Sequence, residues 1–101
     1  MIKVQIIKED DKVMLSVKGH AGYADKGEDI VCAGVSAIIF GLMNALDEKI
    51  AKIKVDENDI TIKILKEDLK TSHYMELAIL QLRTMEESYG QFIKIQERRT
   101  S

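Results

Sequence analysis

The chain has 101 residues, of which 46 % are hydrophobic and 32 % charged, with 15 basic against 17 acidic side chains, one cysteine and no proline. That length holds one core and one domain, and the balanced composition excludes disorder and low complexity. A net charge of -2 lacks the basic excess of a general nucleic-acid binder, and a lone cysteine excludes an internal disulfide, a zinc site of its own and a stapled secreted scaffold.

Met1 leads directly into strand-like alternation rather than into the charged region and apolar run of a signal peptide. Ile2, Val4 and Ile6 share one parity, as do Val13, Leu15 and Val17, with Glu9-Asp10-Asp11-Lys12 between them. Alternation on both sides of a short polar turn predicts a β-hairpin. Gly19 to Asp29 follows, GHAGYADKGED, with three glycines and no aliphatic side chain larger than alanine. It reads as a loop, longer than the usual median of about 4–6 residues, and loops of that kind tend to be functional or mobile.

The uncharged run from Ile30 to Leu46 predicts a helix reaching about Lys49. It falls short of the roughly 20 residues a spanning helix needs, carries Gly34, Ser36, Gly41 and Asn44, and is flanked by Glu28, Asp29, Asp47 and Glu48. No membrane association is expected, and a reducing cytoplasm is the expected location. Val31, Val35, Ile38, Leu42 and Leu46 make one stripe, widened by Ile39, Met43 and Ile50. Such girth predicts a helix central to the core.

A second hairpin is predicted from Ile53 and Val55 through the turn Asp56-Glu57-Asn58-Asp59 to Ile60, Ile62 and Ile64. A second helix, capped by Thr71 or Ser72, carries Met75, Ala78, Leu82, Met85 and Tyr89 at helical spacing and stops at Gly90. Phe92 to Ile95 reads as a last strand and Glu97-Arg98-Arg99-Thr100-Ser101 as a polar tail. The order ββαββαβ predicts an α+β domain, a mostly antiparallel sheet with two packed helices. There is no sign of a linker, repeat or second domain within 1–101.

Chemistry concentrates in the loop and the helix start. Gly22 and Gly27 have the spacing of a phosphate-cradling loop, but Glu28 and Asp29 stand where that motif needs Lys and Ser or Thr, and would repel a phosphate. His20, Asp25, Glu28, Asp29 and Cys32 match no zinc spacing and no EF-hand loop. His73, near the predicted start of the second helix, suits a solvated or capping role. No metal and no cofactor is expected.

Cys32 lies in the first turn of the long helix, just past Asp29, which can cap it. Unpaired backbone N–H groups and the helix dipole stabilise anions there, and a thiolate is such an anion. His20 approaches across the flexible loop as a candidate base, with Asp29 or Asp25 as candidates to orient it. Ser36, one turn after Cys32, shares its helix face. A buried structural cysteine is the alternative.

The run Gly19-His20-Ala21-Gly22-Tyr23-Ala24, then Gly27-Glu28-Asp29-Ile30-Val31-Cys32-Ala33-Gly34-Val35-Ser36-Ala37, resembles the ribosomal-processing cysteine protease family Prp. The resemblance extends over the whole chain in length and element order, and departs only at Gly34, where the related pattern often has alanine. It implies a small cytoplasmic, homodimeric endopeptidase with a Cys–His dyad that supports ribosome assembly. It also implies a substrate, the N-terminal extension of large-subunit ribosomal protein twenty-seven, cut after a pair of aromatic residues. By position Cys32 would be the nucleophile and His20 its base, with Gly19, Gly22, Asp29 and Ser36 shaping the site. Backbone N–H groups near the helix start would hold the oxyanion, and the glycine-rich loop would close over the bound peptide. No direct nucleic-acid partner is expected. The competing class is a non-enzymatic ribosome-associated module docking through the apolar helix and the basic tail at Arg98-Arg99; a weaker one is a thiol esterase or acyl-transfer enzyme using the same dyad.

Overall fold

A computed structural model of the chain describes residues 1–66 and 68–100. Two strands, β1 (Ile2–Glu9) and β2 (Lys12–Lys18), form the first hairpin, with Val4 opposite Val17 and Ile6 opposite Leu15. Its turn puts Asp10 at φ 53, a left-handed conformation that the short polar side chain of aspartate tolerates. Helix α1 (Ile30–Ala45) follows the long loop, then the hairpin β3 (Ala51–Val55) and β4 (Asp59–Ile64), helix α2 (Leu69–Tyr89) and strand β5 (Ile93–Thr100). The sheet runs β3-β4-β2-β1-β5. Its pairs are antiparallel except β1 with β5, which is parallel. The fold is thus α+β in the expected order, with a mostly antiparallel sheet.

Period-two alternation puts one set of side chains on the face that meets the helices. Val4, Ile6, Leu15, Ile62, Ile64 and Ile93 are fully buried there, in one cluster with Val31 and Ile39 of α1 and Leu82 of α2. Each such side chain contributes roughly 1.5–3 kcal/mol of burial. Both helices pack on that single face, so α1 is not enclosed as its girth predicted. It buries Val31, Val35, Ile39 and Leu42, while Ile30 and Phe40 stay 52 % and 45 % exposed. Gly34 faces α2: a Cβ there would lie 2.7 Å from Met85 Cε, so the helices approach closely at this position.

Several boundaries differ from the sequence reading, each for a local polar reason. Helix α1 ends at Ala45 rather than near Lys49, because the Asp47 carboxylate accepts the Lys49 N–H at 2.8 Å and its carbonyl accepts those of Ile50 and Ala51. That local turn competes with helix and removes Ile50 from the stripe. Helix α2 starts at Leu69 because Asp68, not Thr71 or Ser72, is the cap, accepting the Thr71 N–H at 2.7 Å. Thr71 is buried instead. Gly90 does end α2, but with φ -60 rather than a left-handed turn. Glu97 to Thr100 is not a tail: β5 continues through it, paired with Ile6 to Glu9. Glu97 is fixed there by Lys8 at 3.1 Å and Arg83 at 3.4 Å. Ser101 lies outside the described residues.

Because Leu82 is fully buried and Leu69, on the same helix, is 75 % exposed, the two truncations separate core packing from helix propensity. Leu82→Ala should lower unfolding stability by about 2–5 kcal/mol, and Leu69→Ala by less than about 0.5 kcal/mol, measured by urea denaturation followed by circular dichroism.

Candidate active site

The site forms where the end of β2, the loop and the start of α1 converge. Gly19 leaves β2 with φ 90, and a Cβ there would sit 2.7 Å from the Met1 carbonyl oxygen, a clash with backbone that cannot move aside. Only glycine fits both constraints. Its N–H donates to the Asn58 carbonyl at 3.1 Å, tying the loop's first residue to the β3–β4 turn. His20 is thereby delivered to the mouth of a cleft of ≈ 640 Å³, whose walls include Cys32, Ser36 and Asn58. A second cleft of ≈ 230 Å³ adjoins it, sharing His20, Cys32 and Ser36 and continuing over the apolar side chains of Val17, Phe40, Val55 and Ile60.

Asp29 organises the loop. One carboxylate oxygen accepts the N–H groups of Val31 and Cys32, both at 3.0 Å, capping α1 as its position predicted. The other accepts those of Tyr23 at 3.0 Å and Ala24 at 3.4 Å. The Asp29 carbonyl also takes the Ala33 N–H at 3.0 Å. With both carboxylate oxygens engaged by backbone, Asp29 holds the loop rather than orienting His20, and Asp25 is an exposed residue whose carbonyl accepts the Glu28 N–H. The N–H groups of Val31, Cys32 and Ala33 at the start of α1 are thus taken by Asp29. Tyr23 makes a second tie, edge-to-face on Tyr89 at 5.8 Å and on Phe92 at 5.1 Å between centroids. Gly22 and Gly27 supply the left-handed turns, at φ 71 and 91.

Cys32 is free and half-buried. Its sulfur accepts the Ala21 N–H at 3.4 Å, so a backbone donor from the loop points at the nucleophile candidate. His20, Cys32 and Ser36, singled out from the sequence, are brought to one cleft, and Gly19, Gly22 and Asp29 shape the backbone around it. Sequence reasoning passed over Ala21, Glu57 and Asn58. The last two reach the cleft through the pairing of β2 with β4, a long-range register with no local signal beyond a polar turn. Among the described residues, no group of three or more His, Cys, Asp or Glu side chains is placed to hold a metal, and no helix is long and apolar enough to cross a membrane.

The Cys32 N–H holds the Asp29 carboxyl below the usual carboxylate range; partial desolvation opposes this, and the Tyr23 and Ala24 N–H groups add to it. A lowered folded-state value means that this tie is fully present above the pH where an unfolded aspartate titrates, about 3.9, and is lost as pH falls through the folded value. Amide exchange at Tyr23 and Ala24, corrected for intrinsic rates, should therefore keep pace with β1 and β2 down to about pH 4 and accelerate relative to them as pH falls further. In Asp29→Asn that pH dependence should vanish.

Residues 1–94 match the family model described as cysteine protease Prp. The chain is 34 % identical over 87 residues to the ribosomal processing cysteine protease Prp of Mycoplasma pneumoniae, across 84 % of this chain and 87 % of that one. It is 33 % identical over 103 aligned residues to the Prp of Staphylococcus aureus, across 94 % of this chain and 97 % of that one. A crystal structure of the essential ribosomal processing protease Prp from S. aureus, in complex with a covalently linked product peptide, superposes with a TM-score of 0.88. That superposition is 31 % identical and covers 97 % of this chain and 100 % of that one. In sequence and in fold, this chain belongs to the Prp family of cysteine proteases.

Proposed function

We propose that the chain is the endopeptidase that removes the N-terminal extension of large-subunit ribosomal protein twenty-seven, with Cys32 as nucleophile and His20 as general acid and base. The observation that carries this reading is the shared cleft: His20, Cys32 and Ser36 line it together, with the Ala21 N–H directed at the Cys32 sulfur. His20 takes the Cys32 thiol proton, and attack of the sulfur on the scissile carbonyl forms the C–S bond while the carbonyl π pair moves onto oxygen as a tetrahedral oxyanion. Collapse breaks the C–N bond as His20 delivers a proton to the departing amine. Water, deprotonated by His20, then releases the acyl group and restores the thiol. With the Val31, Cys32 and Ala33 N–H groups engaged by Asp29, the Ala21 N–H is the donor already beside the reacting atom and the one we assign to the oxyanion.

The apolar cleft beside Cys32, walled by Val17, Phe40, Val55 and Ile60, supports a pair of aromatic residues as the specificity element. The loop, tied through Asp29 and Tyr23, is the segment that closes over an extended peptide. The enzyme acts in the cytoplasm, where its thiol stays reduced, and as a homodimer. The apolar groove between α1 and α2, with Leu77 in its wall and Leu80 beyond it 62 % exposed, supports self-association.

Purified wild type should cleave the extended ribosomal protein, while Cys32→Ser and His20→Ala, each checked for native circular dichroism, should lose at least about a thousandfold in rate. Failure of the folded wild type to cleave, with ribosome binding retained by wild type and Cys32→Ser alike, would favour the non-enzymatic module. Turnover of acyl esters but not of peptides would favour the esterase. Phe40→Ala should lower kcat/KM for the aromatic-pair substrate by roughly 10-fold or more, the scale of a lost apolar contact, and change a substrate with small side chains at those positions far less.

A further inference from the structure

Because both helices pack on one face of the sheet, the other face is open, and its chemistry is one-sided. Alternation and register place three rows across it. The first holds Asp59, Lys18, Lys3 and Lys94; the third holds Lys52, Lys63, Met14, Ile7 and Arg98. The middle row is Lys54, Thr61, Ser16, Gln5 and Gln96, and Lys12 stands opposite Glu9 at the hairpin end. Eight of the chain's 15 basic side chains lie on this face against Glu9 and Asp59 alone, which leaves seven basic and fifteen acidic for the rest of the sequence. All eight are exposed. Among the described residues, Lys54 alone of the eight is drawn toward a nearby carboxylate, that of Asp56 in the adjoining turn, at 3.9 Å.

The arrangement costs stability. Lys3 lies directly opposite both Lys18 and Lys94, and Lys52 opposite Lys63. Like charges opposed across a ladder are destabilising. Lysines on an edge strand discourage strand addition, which accounts for Lys52 and Lys54 on β3 and Lys94 and Arg98 on β5. It does not account for Lys3, Lys18 and Lys63 on the interior strands. A second copy of the chain meeting face to face would double the repulsion. Sheet faces that read single-stranded RNA stack bases on aromatic side chains, and no aromatic residue lies on the strands here. A lipid surface would find no exposed apolar group to bury, since Ile7 and Met14 are themselves half-buried.

We propose that the open face of the sheet docks on the phosphate backbone of a nucleic-acid double helix, through Lys3, Lys18, Lys63, Lys94 and Arg98. Recognition is by charge, without base readout. The proposal rests on the charge map and does not depend on the protease reading.

The test is fluorescence anisotropy of the wild-type chain with a labelled RNA hairpin, beside the same-length single strand and vesicles of phosphatidylserine and phosphatidylcholine, from 50 to 200 mM salt. The hairpin should bind most tightly, with affinity falling about a hundredfold or more over that range, as release of counterions from several phosphates requires. The triple variant Lys3→Gln, Lys63→Gln, Arg98→Gln should lower the slope of log K against log salt by about 2–3. Its melting temperature at low salt should rise, because opposed charges are removed. The control triple Lys49→Gln, Lys66→Gln, Lys70→Gln, outside the sheet, should leave the slope unchanged. The proposal is overturned by no hairpin binding at 50 mM salt, by preference for vesicles or the single strand, or by equal losses in both triples.

Discussion

Asp29 accepts four backbone N–H groups drawn from two sides of one loop, those of Tyr23 and Ala24 on its way out and those of Val31 and Cys32 at the start of α1. The site depends on that convergence. A loop with three glycines in left-handed conformations is costly to order, since glycine loses more backbone freedom than any other residue. The carboxylate offsets that cost by binding the two ends of the segment to each other, and the Tyr23 ring adds a hydrophobic anchor on Tyr89 and Phe92. The same charge that caps the helix therefore sets where Ala21 lies relative to the Cys32 sulfur. Cap, loop and nucleophile are one mechanical unit.

The sheet supplies the other half of the site. Gly19 can pass within contact distance of the Met1 carbonyl only because it lacks a Cβ, and its N–H engages Asn58 across the end of β2 and β4. Pairing of β2 with β4 thus carries the β3–β4 turn to the cleft, and with it Glu57 and Asn58. A slip of β4 by one residue in that register would turn Ile62, fully buried, to the open face. The hydrophobic pattern of the strands consequently fixes the geometry of a polar site that contains almost none of those residues.

Legibility followed the range of the interactions. Hairpins and helices were readable because their signals are local: alternation at Ile2, Val4 and Ile6, helical spacing at Met75, Ala78 and Leu82. The Asp29 cap and the clustering of His20, Cys32 and Ser36 at the loop–helix junction were readable for the same reason. Where two local signals competed, the shorter-range polar one prevailed, as when Asp47 ended α1 early and Asp68 started α2 ahead of Thr71. Strand β5 was cut short in the reading because Glu97, Arg98 and Arg99 carry no apolar alternation. Their order comes from the parallel ladder to β1 and from the Lys8–Glu97–Arg83 cluster, both long-range. The second pair of Asp29 bonds, to Tyr23 and Ala24, and the approach of Ala21 to the sulfur depend on the path of the loop, for which the sequence carries no local signal.

Net charge does not describe the charge of any one face, and the reason is geometric. An alternating strand assigns each charge to a face, so a chain near neutrality can still be strongly polarised. Here the first and third rows of the open sheet face are mostly basic, while Asp56 and Glu57 stand together along the apolar cleft. Within a Debye length of about 8 Å at physiological salt, a partner responds to the face it meets and not to the sum. A basic peptide segment entering the cleft meets carboxylates, and a polyanion meeting the sheet finds ammonium and guanidinium groups. The strand pleat thus keeps surfaces of opposite charge on separate sides of a small domain.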